Sequence, residues 1–250
     1  MAIESTFPLT ALRLRFHCAA ETPIRFGGWR AGSILRGALV SIMRRATCFH
    51  PPLPLGEGIG VRGCPVCWLV AANEHPGQER RGYVITPPLG IPEILEVGMK
   101  FSFHITLLGE AIRYLPYFVL AVPEAGHVGV GVGRGRFKLI SIIAEHPLND
   151  EWQVLKEGEN VVYPPSESIT HSDIKQLAQN FYCRFENRQI RLKFNFLTPL
   201  RLIVDNRLLK SPDFGVIFSH ILRRLDELAM QYTHSNRRPI EERQRLWQLA

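Results

Sequence analysis

Cys64-Pro65-Val66-Cys67, with Cys48 upstream, brings three thiols into a stretch of twenty residues. Such a set can hold a tetrahedral zinc if His50 or His75 supplies a fourth ligand; otherwise it reads as reduced packing cysteines. A second paired motif, which would make the zinc reading specific, is absent from the sequence. A redox role is disfavoured, because the pair is not seated in a thioredoxin-like strand-helix-strand context. Histidines are the other candidate catalysts, since imidazole titrates near neutrality. His17 lies beside Arg13 and Arg15, His50 follows a helical stretch, and His127 sits inside a glycine-rich segment. His104, beside a strand pattern, reads as structural.

In that glycine-rich segment Gly126, Gly129, Gly131, Gly133 and Gly135 fall almost every second residue. A dinucleotide or P-loop glycine cluster follows a strand and opens a helix whose N-terminus meets the phosphate. This cluster precedes a strand instead and contains no Gly-Lys-Ser/Thr. It reads as a flexible loop that lets backbone amides approach a phosphodiester chain while Arg134, Arg136 and Lys138 supply charge. A connection needed only for tight turns is the plainer alternative.

The elements that must position these groups show a repeat. Leu12-Arg13-Leu14-Arg15-Phe16-His17 returns 178 residues later as Ile190-Arg191-Leu192-Lys193-Phe194-Asn195. Both alternate apolar and polar residues, as a half-buried strand requires, with Leu12, Leu14, Phe16 and Cys18 on one face. A Thr-Pro turn follows each copy, at Thr22-Pro23 and Thr198-Pro199, with Arg25 and Arg201 two positions beyond. A helix then starts in each: Ser33 is the expected cap of a run over 33–46, and Ser211 the expected cap of a run carrying Phe214, Ile217, Phe218, Ile221, Leu225 and Leu228. Arg191, Lys193 and Arg201 match the basic strand of the first copy and are candidate RNA contacts, whereas Arg223 and Arg224 read as a solvated helix face.

Further strand patterns near 81–86 and 100–108, a helical stretch over 109–122 despite Pro116, and a strand after the glycines complete the order strand, helix, strand, strand, helix, strand. That is the split βαβ pattern of ferredoxin-like folds. The expectation is an α+β chain of tandem ferredoxin-like, RRM-like domains, the second incomplete: 1–150 with a Pro/Gly-rich insertion and the glycine loop, a connector over 151–188, and a partial copy over 189–250. A chain that stops inside its second copy is either a fragment or a reduced version.

The 250 residues carry a net charge of +7, spread over both halves, with 46% hydrophobic residues. That composition excludes a disordered chain and raises the expectation of a polyanionic partner. No signal-peptide pattern and no apolar run of membrane-spanning length occur, so a cytoplasmic protein with no membrane partner is expected. Five cysteines, an odd number, argue for reduced thiols rather than a disulfide framework.

Residues 32–39, Gly-Ser-Ile-Leu-Arg-Gly-Ala-Leu, the glycine loop ahead of the last strand of the first unit, and Phe-Leu-Thr-Pro-Leu-Arg-Leu at 196–202 followed by the helix after Ser211 carry a family resemblance. Across nearly the whole chain the sequence resembles the CRISPR-associated endoribonucleases of the RAMP superfamily that process precursor CRISPR RNA. The resemblance implies binding of a CRISPR repeat RNA, association with other CRISPR effector subunits, and cleavage without metal or cofactor. The 2′-OH attacks the adjacent phosphate, leaving 2′,3′-cyclic phosphate and 5′-OH ends. It makes Arg36 the helix cation of the site, with Arg30 just before it, and His50 and His17 the histidines nearest the expected place. The family often carries a histidine in or near the first helix; this helix has none. A RAMP subunit that holds guide RNA without cutting is the alternative, and a zinc-stapled structural protein a third.

Overall fold

The computed structural model describes residues 7–48, 64–70, 81–148, 151–158, 162–185, 191, 193–204, 206–233 and 238–248. In chain order the first elements are β1 (Ala11–Ala20), β2 (Ile24–Arg25), α1 (Ala31–Thr47), α2 (Pro65–Val70), β3 (Tyr83–Thr86), β4 (Ile94–Leu95) and β5 (Lys100–Leu108). They continue with α3 (Leu115–Val128), β6 (Phe137–His146), β7 (Glu151–Glu157), α4 (His171–Phe185), β8 (Ile203–Val204), β9 (Arg207–Leu208), α5 (Phe214–Tyr232) and α6 (Ile240–Gln248).

Strand β1 alternates strictly, and the alternation sets the layers. Leu12, Leu14, Phe16 and Cys18 are buried, while Arg13, Arg15 and His17 turn to the opposite face. β1 pairs antiparallel with β5 on one side and β6 on the other, inside a sheet ordered β3-β5-β1-β6-β7. Phe16 stands opposite Phe103 of β5, and their rings stack at 5.3 Å. The apolar face is covered by α1, through Leu35, Leu39, Ile42 and Met43, and by α3, through Phe118, Ala121, Val122 and Ala125, which join one buried cluster. Taken as β1, α1, β3, β5, α3, β6, with the first strand between the third and the last, this is an α+β fold of the ferredoxin-like type. β7 adds a fifth strand within the expected connector, which also holds α4.

Local starts and stops differ from the expected ones. Gly27 and Gly28, both at positive φ, lead into a 3-10 turn that continues as α1 from Ala31, so Arg30 occupies the cap position and Ser33 lies within the first turn. Helix α5 is capped by Asp213, whose Oδ1 accepts the Val216 amide at 2.9 Å, rather than by Ser211; Asp213 is the side chain placed to reach the third helical amide. Pro116 occupies the first turn of α3 and is tolerated there.

The second copy departs most from its pattern. Of the strand expected at 190–195, described residues 191 and 193–195 form no strand, and neither does Phe196 beyond it; Phe194 and Phe196 are exposed. Alternation makes a strand only where neighbours complete its hydrogen bonds, as β5 and β6 do for β1. Along α5, Leu228 and Tyr232 are buried but Phe214 and Ile221 are not, so its C-terminal end docks on the ferredoxin-like unit. Tyr232 is fully enclosed there, edge-on to Trp68 of α2 at 5.1 Å. A methyl group on Gly109 would collide with the Tyr232 carbonyl oxygen, and one on Gly82 would lie 2.6 Å from its ring. Among the described residues no helix is long and apolar enough to cross a membrane.

Gly109 and Gly90 both hold positive φ, but nothing surrounds Gly90 within contact range. Gly109→Ala should therefore destabilise by about 2–4 kcal/mol, combining backbone strain with overpacking, and Gly90→Ala by only about 1. Urea midpoints measure both; equal losses would show that the Tyr232 contact contributes nothing.

Candidate nucleic-acid interface

The glycine loop begins where α3 ends. Gly129, Gly131 and Gly133 have φ of 91°, 72° and 84°, and Arg134 itself sits at 51°. The loop docks on the segment after β1: Val132 bridges Arg25, and the Arg136 amide donates to Thr22 Oγ1 at 2.7 Å. A Cβ at Gly131 would strike the Arg25 carbonyl oxygen, and one at Gly135 the carbonyl oxygen of Pro23. These glycines thus serve close backbone packing, and Gly133 alone has open space around it. The expectation of a flexible loop gives way to a tightly folded one, because each carbonyl that approaches leaves no room for a side chain. From Arg134 to Leu139 exposed and buried residues alternate, so Arg134, Arg136 and Lys138 project from one side.

A second basic surface opens beside α1. A groove of about 410 Å³ is lined by Trp29, Ser33 and Arg36, by Arg81 and Tyr83 at the β3 edge, and by Thr198, Pro199 and Arg224 from the C-terminal segment. Arg30 stacks on Trp29 at 5.2 Å, which ties it to the same rim. Burial pushes the Tyr83 hydroxyl up, against the opposing charges of Arg81, Arg36 and Arg44. Tyr83 Oη and Arg81 Nε are both enclosed without a hydrogen-bond partner among the described residues. The guanidinium groups of Arg36, Arg81 and Arg224 that wall the groove suit an anionic ligand.

Of the catalytic candidates, Arg36 lines the groove, Arg30 flanks it, and His50 lies outside the described residues. His17 is not brought to them. It faces the opposite side of the sheet, separated from the β3 edge by β5, and Ser102 Oγ lies 2.7 Å from its Nδ1. Arg191, Lys193 and Arg201 are exposed on the C-terminal segment, whose Thr198 and Pro199 reach the groove. Arg223 pairs with Glu227 on the surface of α5 as expected for a solvated face, but Arg224 lines the groove. Arg81, Tyr83 and Trp29 were not singled out by the sequence, and Arg224 was read only as part of a solvated face, because nothing in their spacing joins them; the fold does.

The polar face of the sheet holds a separate cluster. Glu145 of β6 binds Arg13 at 3.4 Å, Arg15, and His104 Nε2 at 3.2 Å. One carboxylate thus pairs with two arginines that sequence alone would count as free, offsetting one of their two charges. Cys48, Cys64 and Cys67 also converge, with their sulfur atoms all within 4.8 Å of one another. Burial, reinforced by hydrogen bonds from Cys48 and Cys64, pushes the Cys67 thiol up to about 12. His50 and His75, the suggested fourth ligands, are outside the described residues.

A family model described as AF_1859_N, N-terminal domain, matches residues 8–167, which span the sheet and both covering helices. No curated protein matches the chain. Solved structures similar to the chain include two from CRISPR systems. A Cas6 product complex is 14% identical, with 96% of this chain and 71% of that chain covered and a TM-score of 0.48. The Csm3-Csm4 subcomplex of the type III-A CRISPR-Cas interference complex is 15% identical, with 69% and 97% covered and a TM-score of 0.42.

Burial, ahead of the nearby arginines, holds both His17 and His104 below the ordinary histidine value of 6.5, with Glu145 opposing. The unfolded chain then binds protons more readily than the folded one, so stability is lost as pH falls through about 6.5 toward the folded values. The Tm at pH 5 should lie below that at pH 7.5, and His104→Gln should narrow the difference. An unchanged difference in that variant would remove His104 from the account.

Proposed function

From the premise that the chain belongs to the AF_1859_N, N-terminal domain family, we propose that it binds CRISPR repeat RNA and cleaves it by metal-independent transesterification. The groove beside α1 carries this reading: Arg36, Arg81 and Arg224 line it together, and Trp29 offers an aromatic face at its rim. Guanidinium groups suit a phosphate and an indole suits an unstacked base, the two things single-stranded RNA presents.

In this reading Arg36 and Arg81 stabilise charge on the phosphorane as the 2′-OH attacks and the 5′-oxygen departs. Arginine stays protonated at neutral pH, so proton transfer falls to another group, and His50 is the candidate that the family resemblance supplies. Arg30 steadies the rim. Arg134, Arg136 and Lys138 hold the RNA backbone along the glycine loop, with Arg191, Lys193 and Arg201 extending the track from the C-terminal segment. The unit 1–150 supplies most of the site, 151–188 connects it, and 189–250 is a partial second domain that furnishes one groove wall. Other CRISPR effector subunits are the protein partners in this reading, and the protein is cytoplasmic. No histidine lines the groove among the described residues, which favours a second reading: a RAMP subunit that holds guide RNA without cutting it.

Incubation with cognate repeat RNA in EDTA, beside an RNA with a 2′-deoxy substitution at the cut site, separates the two. Cleavage abolished by the deoxy substitution supports the nuclease, binding without cleavage supports the subunit, and no binding, whether the chelator is present or not, removes both. For the nuclease, Arg36→Ala should lower the cleavage rate by about 10²–10³ while weakening binding less than about 10-fold. Arg134→Ala and Arg136→Ala should each weaken binding and reduce the slope of log affinity against log salt by about 0.7–1. Equal effects of all three variants on rate and affinity would sink these assignments.

A further inference from the structure

We propose that Cys48, Cys64 and Cys67 form a binding site for one zinc-class cation that ties the end of α1 to α2. Cys48 caps α1, its amide donating to the Arg44 carbonyl oxygen at 3.0 Å. Cys64 directly precedes α2 and Cys67 lies in its first turn; the Trp68 amide donates to the Cys64 carbonyl oxygen at 2.9 Å and fixes that turn. A Cys-x-x-Cys pair wound on one turn places both sulfurs on the same side, and the fold brings the third from a helix end sixteen residues earlier in the chain.

The geometry is that of a coordination shell before the ion. All three sulfurs lie within 4.8 Å of one another, and Cys48 and Cys67 are 3.3 Å apart. Tetrahedral zinc with bonds of about 2.3 Å separates its sulfur ligands by about 3.8 Å, so sub-ångström shifts suffice. Three sulfurs converge rather than two, which a disulfide does not require and would leave one thiol over. The other cysteines provide the contrast: Cys18 is buried alone in the sheet core and Cys183 is exposed on α4. An all-sulfur donor set selects soft or borderline cations such as Zn²⁺ and rejects Mg²⁺ and Ca²⁺. Three thiolates leave one coordination position for water or a further donor.

The role that follows is structural. Cys48 lies twelve residues beyond Arg36 on the same helix, about 18 Å along the axis, so the ion is remote from the groove cation. α2 contributes buried Val66, Leu69 and Val70 to the core, and Trp68 packs on Tyr114 at 5.0 Å and on Tyr232 at 5.1 Å. Holding α2 by metal therefore also supports the aromatic contact on which the end of α5 rests. Binding replaces each thiol S–H by an S–metal bond and releases its proton to solvent, with no change of oxidation state.

The full-length protein, reduced and stripped of metal by a chelator under anaerobic conditions, should be titrated with Co²⁺ as a spectroscopic probe. The expected result is one equivalent bound, with sulfur-to-cobalt charge-transfer absorption and tetrahedral d–d bands. One equivalent of Zn²⁺ should displace it, release protons and raise the Tm. Cys48→Ser and Cys67→Ser should each weaken binding at least 10-fold, and Cys183→Ser should leave it unchanged. If Cys67→Ser fails to fold, the half-exposed Cys48 variant and the wild-type titration still decide. Absence of the charge-transfer band with all thiols free overturns the proposal. So does a band that survives in both variants, or a Cys48–Cys67 disulfide trapped directly from cells.

Discussion

The position of β1 between two antiparallel partners is the constraint from which the rest of the molecule follows. Because side chains alternate along a strand, pairing with both β5 and β6 commits Leu12, Leu14, Phe16 and Cys18 to one face and Arg13, Arg15 and His17 to the other. The apolar face must then be roofed, and α1 and α3 do it with matching stripes. On the polar face Glu145 gathers two arginines and a histidine, which offsets part of their charge. A slip of one residue in β1 would bury the arginines and expose Phe16, so the register is strongly determined.

The basic groove is an indirect product of the same arrangement. Once α1 lies across the sheet, its first two turns face the β3 edge, which brings Arg36 beside Arg81 and Tyr83. The remaining wall belongs to the C-terminal segment, and the described residues of that segment are anchored by a few contacts. Tyr232 fills a socket made possible by Gly82 and Gly109, and Trp68 closes it from α2. Asp226, buried on α5, is paired with Arg238 at 2.5 Å, which in turn stacks over Phe7. Arg224 stands two helical turns before Tyr232, so the anchor and the groove wall share one rigid helix.

Local patterning carried the first unit well. The alternation at 11–20 and 100–108 and the helical stripe at 35, 39 and 42 are dictated by short-range periodicity that the core then uses unchanged. The same alternation at 190–195 misled, because periodicity specifies which faces a strand would have and not whether partners exist to pair with it. Helix caps were misplaced by two and three residues, since the Gly27–Gly28 turn starts α1 ahead of Ser33, and Asp213 rather than Ser211 reaches the Val216 amide. The glycine loop was read for its freedom, whereas Gly131 and Gly135 are constrained by carbonyl oxygens of residues more than a hundred positions earlier.

The sequence by itself determined the α+β order of elements, the inward and outward faces of β1, and the chemical inventory: an excess of guanidinium groups, a glycine-rich turn with cations, and three cysteines in one region. These are properties of neighbours in the chain, set by strand and helix periods. Only the tertiary structure decided which of those groups act together. It paired Arg13 and Arg15 with Glu145, set His17 apart from Arg36, joined Arg36 to Arg81 and Arg224, and closed Cys48 onto Cys64 and Cys67. The reason is that hydrogen bonds, contact ion pairs and metal coordination need partner atoms within a few ångströms, so they depend on contacts between distant segments that no local pattern encodes.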